Sequence, residues 1–135
     1  GLNVTFRGYV DKMTLAQELP EFDLFVQPSR VESFGISVTE AMACGCVPIC
    51  SKVGGMLEQV EHMKNGILFE TENAHELFLA IKKLADNPEL TKKLGREARR
   101  VAVDKFSLNS FGDKMEDVYR KTILIKTYAN YFQPM

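Results

Sequence analysis

The 135-residue sequence is poor in the features that mark several functional classes. No apolar run approaches the ~20 residues needed to span a bilayer. No signal-peptide pattern opens the chain. Neither sign of charge is in excess. A formal net charge of -1 removes any global electrostatic case for binding nucleic acid. Cysteine is scarce and clustered at Cys44, Cys46 and Cys50, and an odd number within one short segment argues against a disulfide framework. Histidine is scarcer still. His62 and His75 are remote from the thiols and flanked by charged residues, so Cys44-Gly45-Cys46 has no further ligand nearby in sequence to complete a metal site. The thiols read as small packed hydrophobes, kept reduced in a cytoplasmic setting. Internal repeats, low-complexity segments, a Ser-His-Asp arrangement and a P-loop are all missing.

What is present is the patterning of a soluble α/β domain. Hydrophobic residues make up 45% and charged residues 26%, as expected for one folded domain of this length. Val4 to Val10 reads as a strand. Thr14 with Gln17 forms a capping box for a short helix up to Leu19, and Pro20 punctuates it. Leu24-Phe25-Val26 is a continuous apolar run, as for a strand covered on both faces, and Pro28 ends it. A helix from about Gly35 to Cys44 closes at Gly45. Val47 to Cys50 is the next strand, Gly54-Gly55 a turn, Leu57 to Val60 a short helix and Gly66 to Phe69 a last strand. Asn73 with Glu76 caps a helix bearing Leu77, Phe78, Ala80, Ile81, Leu84 and Ala85. Asn87-Pro88 opens another, lined by Leu90, Leu94, Ala98, Val101, Ala102 and Phe106. Ser107 caps a final helix with Leu108, Phe111, Met115 and Val118 inward. Strands alternating with helices predict a parallel sheet.

The stretch from Val26 to Ala43 carries the most chemistry. It reads as a buried strand, a polar loop and the start of a helix. The first amides of a helix have no internal partner and carry the positive end of its dipole, so this junction is an anion site. Glu32 sits in the loop. At ~1.5 Å rise per residue, Glu40 lies roughly 7 Å along the axis from a helix start near Gly35. A diphosphate on the helix end would have one carboxylate on either side. That arrangement suits a nucleotide sugar.

These residues also resemble a known family. Glu32 to Glu40, with Phe34-Gly35 between and Glu40-Ala41-Met42-Ala43-Cys44-Gly45 following, resembles the E-x7-E motif of retaining glycosyltransferases of the GT-B fold. The match is to the group 1 enzymes, often called family 4. The resemblance runs from about Val4 to about Lys121. It takes in Asp23, Pro28-Ser29, Gly45-Cys46-Val47-Pro48, Val53-Gly54-Gly55 and Asn65-Gly66-Ile67-Leu68. Serine at position 33 and Leu57 depart from the glycine and proline usual in the family.

The resemblance implies a partial Rossmann-like parallel sheet with flanking helices, the C-terminal half-domain of a GT-B glycosyltransferase. Residues 1–121 would form an N-terminally incomplete donor-binding domain and residues 122–135 a C-terminal helix tail. The N-terminal acceptor domain, the central strands and the family's basic pair would lie outside the chain; neither Arg7 nor Arg30 matches that pair. The parent reaction moves a sugar from a nucleotide diphosphate sugar to an acceptor with retention and without a metal or other cofactor. By the same resemblance Glu32 handles the sugar, Glu40 binds the ribose hydroxyls, and Ser33, Phe34, Gly35 and Ile36 supply backbone to the donor. Gly54-Gly55 fits direct substrate contact as well as a plain turn, and Gly8 and Tyr9 fall near the base.

Two alternatives stay open: a non-catalytic nucleotide-sugar-binding or scaffold domain, and a GT-B-like sugar-nucleotide epimerase. Lys92, Lys93, Arg96, Arg99 and Arg100 could touch an anionic membrane surface in the parent. Glu89, Glu97 and Asp104 interleave with them, which favours a solvated face. Ile123, Leu124, Ile125, Tyr128, Tyr131 and Phe132 make the tail apolar enough to expect self-association of the isolated chain, or poor order in its last dozen residues.

Overall fold

The computed structural model describes residues 3–131, with side chains from 3 to 124. The described residues fall into two compact units that divide between Ala102 and Val103. In the first, β1 (Leu24–Gln27), β2 (Val47–Ser51) and β3 (Ile67–Phe69) form a parallel sheet in the order β1-β2-β3. Leu24 pairs with Val47 and Ile49 with Ile67. Helices α1 (Lys12–Glu18), α2 (Ile36–Cys44), α3 (Met56–Gln59), α4 (Ala74–Ala85) and α5 (Pro88–Phe106) flank it.

The sheet is covered on both faces, and the period-2 alternation of its strands sorts the two cores. Leu24 and Val26 join Val47, Ile49, Ile67, Phe69, Ala80, Leu84 and Leu94, under α4 and α5. Phe25 turns the other way, toward Leu15, Leu19, Ala41 and Cys46 on the α1–α2 side. Leu84 and Leu94 are fully buried, and truncating either to alanine costs about 2–5 kcal/mol. Cys46 and Cys50 are buried too, and the Cys46 thiol donates to the Leu19 carbonyl at 3.2 Å.

Helix ends explain why α2 is sharply bounded. Gly45 has φ +91°, its amide donates to Met42 at 2.9 Å, and the Cys46 amide donates to Ala41 at 3.1 Å. This is a Schellman closure, which favours glycine at the left-handed position. The Asn73–Glu76 pair caps α4, with the Glu76 amide donating to Asn73 Oδ1 at 3.1 Å. Asn87 accepts from the Leu90 amide at 3.0 Å ahead of Pro88.

Four expectations need correction. Val4 to Val10 is not a strand: Phe6 and Tyr9 are 96% and 93% exposed, and among the described residues no strand pairs with the segment. A strand needs a ladder partner and a face to bury, and this segment has neither here. The described sheet therefore has three strands, not four. Helix α1 is capped by Asp11, not Thr14, because the Asp11 carboxylate accepts from the Met13 and Thr14 amides and the Thr14 hydroxyl.

The fourth concerns α6 (Leu108–Tyr131) in the second unit. Ser107 caps it, accepting from the Ser110 amide at 3.2 Å. Its expected inward face is exposed at Leu108, Phe111 and Val118, with Met115 half-buried. Ile123 and Leu124 are exposed as well. Helical spacing alone does not provide a surface to pack on. The side chains of Ile125, Tyr128 and Tyr131, and all of Phe132, lie outside the described residues.

Candidate functional site

The C-terminal ends of parallel strands and the helix starts that follow them form one edge of the first unit. After β1 the chain runs through Pro28 to Phe34 and enters α2 at Gly35, which has φ +84° and ψ +59°. No side chain caps this helix start. The first intrahelical bonds are donated by Val38 and Thr39 to the Gly35 carbonyl, at 3.0 and 3.4 Å. The amides of Ile36 and Ser37 lie ahead of them, where the helix dipole is positive.

The loop is held from below by α3 and the turn before it. The Gly55 amide donates to the Ser33 carbonyl at 3.1 Å. The Gln59 side-chain amide donates to the Phe34 carbonyl and, at 3.4 Å, to that of Gly35. All peptides here are trans, so each N–H points opposite to the carbonyl of its own peptide unit. Holding the carbonyls of residues 33, 34 and 35 against α3 therefore turns the N–H groups of Phe34, Gly35 and Ile36 away from it. Successive amides turned to one side are a backbone arrangement that can receive an anion.

The predicted site residues lie in this loop and in the first two turns of α2. Glu32 is half-buried, and its carboxylate accepts from the Ser33 amide at 3.0 Å. Ser33, Phe34 and Ile36 are exposed, while Gly35 is buried. Glu40, half-buried, projects from the second turn of α2. Gly54 and Gly55 are packing positions against the loop. A Cβ on Gly54 would run into the Glu32 carbonyl, and one on Gly55 would fall 2.5 Å from Phe34 Cα. That backbone approach gives the pair a structural role and does not require substrate contact.

Sequence patterning assigns no role to Gln59 or Ser51, and Asn65 enters only as part of the resembling stretch Asn65-Gly66-Ile67-Leu68. Gln59 is 2% exposed, and its carbonyl accepts from Asn65 Nδ2 at 2.9 Å. Ser51 is buried and donates to the Ser29 carbonyl at 2.5 Å, tethering the loop near its start. The available signal was a polar residue placed where an apolar one would pack.

Charged residues elsewhere are largely paired. Arg7 meets Glu18 at 2.5 Å and Arg30 meets Glu72 at 2.8 Å. Lys52 meets Glu70 at 2.5 Å, which raises the lysine above its ordinary value. On α5, Lys92 faces Glu89, Arg100 faces Glu97, and Arg99 donates to the Ala43 carbonyl at 2.7 Å. Among the described residues no helix is long and apolar enough to cross a membrane. No group of three or more His, Cys, Asp or Glu among them could hold a metal ion.

Residues 1–101 match the model of the glycosyl transferases group 1 family. The chain belongs to that family. This group 1 chain is 33% identical over 120 residues to the D-inositol 3-phosphate glycosyltransferase of Jonesia denitrificans, covering 89% of this chain and 28% of the relative. It is 28% identical over 118 residues to the alpha-D-kanosaminyltransferase of Streptomyces kanamyceticus, covering 87% of this chain and 31% of that enzyme. The fold matches that of the sucrose-phosphate synthase from Thermosynechococcus elongatus with a TM-score of 0.81, 31% identity and coverage of 90% and 30%. It also matches Anabaena HepE, crystallised with UDP and glucose, at a TM-score of 0.78, 26% identity and coverage of 87% and 32%. The group 1 chain thus spans about a third or less of the length of these proteins.

Proposed function

We propose that the chain is the donor-binding part of a retaining glycosyltransferase. The enzyme transfers a sugar from a nucleotide diphosphate sugar to an acceptor bound by a domain outside this chain. One observation carries the reading: the helix start at Gly35 has no side-chain cap, and the carbonyls of Ser33, Phe34 and Gly35 are held toward α3 and the turn before it, so their peptide N–H groups face the other way. The group 1 membership of residues 1–101 and the UDP held by a neighbouring structure support it.

In this reading the amides of Phe34, Gly35 and Ile36 receive the diphosphate. Glu40 accepts two hydrogen bonds from the ribose diol, and charged acceptors make the stronger bonds. Glu32 contacts the sugar and stabilises positive charge at the anomeric carbon, because glycosyl transfer passes through an oxocarbenium-like state. It is not a covalent nucleophile; the leaving phosphate assists attack from the same face. The helix end, with cations outside this chain, takes the place of a metal ion, so a chelator leaves turnover unchanged. The chain alone has no transferase activity, and the full-length enzyme works in the cytoplasm.

Ligand-detected NMR of the full-length protein against a panel of nucleotide sugars tests this function. Saturation transfer to the ribose and sugar protons of at least one donor is expected. A panel with no transfer to any member would overturn it.

A further inference from the structure

Gln59, the last residue of α3, is buried beneath the loop and uses both ends of its side chain. Its Nε2 donates to the carbonyls of Phe34 and Gly35. Its Oε1 accepts from the Thr39 hydroxyl at 2.8 Å. Phe34 and Gly35 stand two and three residues after Glu32 in the loop, and Thr39 immediately precedes Glu40. One amide therefore ties the two halves of the site to each other. Its own place is fixed, because its carbonyl accepts from Asn65 Nδ2 at 2.9 Å and Asn65 Oδ1 in turn accepts from the Glu61 amide at 2.7 Å.

The two ends are not interchangeable. Carbonyl oxygens need a donor, and the side-chain oxygen of a flipped Gln59 would face them as a second acceptor. An apolar residue of the same size would take this partner from the Phe34 carbonyl and the Thr39 hydroxyl, while the Gly35 carbonyl would keep the Val38 and Thr39 amides, and a polar group left unpaired is costly. The Phe34–Gly35 peptide would then have reason to rotate toward solvent, carrying the Gly35 amide out of line with that of Ile36.

We infer that Gln59 is a positioning residue of the donor site. It orients the Phe34–Gly35 and Gly35–Ile36 peptides toward the diphosphate and keeps them in register with Glu40. This rests on the donor-binding reading above. Gln59 itself touches no ligand.

The test uses the full-length protein, with UDP, GDP, ADP and dTDP as probes for equilibrium binding. Gln59→Met is expected to weaken binding of the preferred nucleotide about tenfold, with acceptor KM unchanged. Leu84→Ala, which opens the core away from the loop, is expected to lower the unfolding temperature without changing nucleotide affinity. Gln59→Glu is expected to be impaired at neutral pH and to recover as pH falls, because a protonated carboxyl regains the donor. Burial moves that carboxyl upward, toward neutral pH.

Should Gln59→Met fail to fold, Thr39→Val decides by removing only the bond to Oε1, and about threefold weaker binding is expected. Wild-type affinity in a folded Gln59→Met protein would overturn the inference. So would equal weakening by Leu84→Ala, a wild-type pH profile for Gln59→Glu, or unchanged affinity in Thr39→Val. A wild-type protein that binds none of the four nucleotides would overturn the donor-binding reading itself.

Discussion

Gly54 lies directly against Glu32. A Cβ at position 54 would sit inside the van der Waals envelope of the Glu32 carbonyl oxygen, and the φ of +44° there already favours glycine. Gly54→Ala must therefore displace backbone, not a flexible side chain. The expected cost is roughly 1–3 kcal/mol of stability, with a weaker donor site because the Glu32 loop moves. Thermal unfolding and nucleotide titration of the same variant check both parts.

Glu40→Gln should weaken nucleotide binding while leaving the fold intact. The lost charged acceptor is worth about 1.5–3 kcal/mol. Calorimetric titration with the nucleoside diphosphate reads this directly, and unchanged affinity would remove Glu40 from the ribose.

Much of this site was legible in the sequence because strand, loop and helix start are local features. The apolar run at Leu24 to Val26, the glycines at 35 and 45 and the spacing of the two glutamates depend on near neighbours. Gln59 was not legible, because its partners Phe34 and Thr39 are 25 and 20 residues away. The segment from Val4 to Val10 has strand composition, but composition cannot supply a neighbouring strand. The same limit applies to Leu108 and Phe111, whose helical spacing does not specify a surface to cover them.

Glu32→Gln should lower turnover and sugar discrimination with nucleotide affinity nearly unchanged, as the proposed sugar-end role of Glu32 requires. Single-turnover rates, product anomeric configuration and nucleotide titration together check it. A fall in nucleotide affinity as large as for Glu40→Gln would exchange or cancel the two assignments.

Burial pushes the Cys50 thiol from its ordinary 9.0 up to about 12. The folded state thus retains a proton that the unfolded chain releases, and the resulting stability is present below pH 9 and lost as pH rises toward about 12. Cys50→Ala should flatten that decline, even though it lowers stability at neutral pH through the cavity it leaves. Denaturant unfolding between neutral and alkaline pH measures the difference in slope.

The central claim is that the loop from Glu32 into α2 receives a nucleotide diphosphate. Backbone amide shift mapping of the full-length protein, titrated with its preferred nucleotide sugar, tests it most directly. The largest changes are expected at Phe34, Gly35, Ile36 and Ser37, abolished or strongly reduced by Glu40→Gln. Shifts confined instead to the basic groove of about 490 Å³ lined by Lys64, Lys93, Arg96 and Arg100 would contradict it.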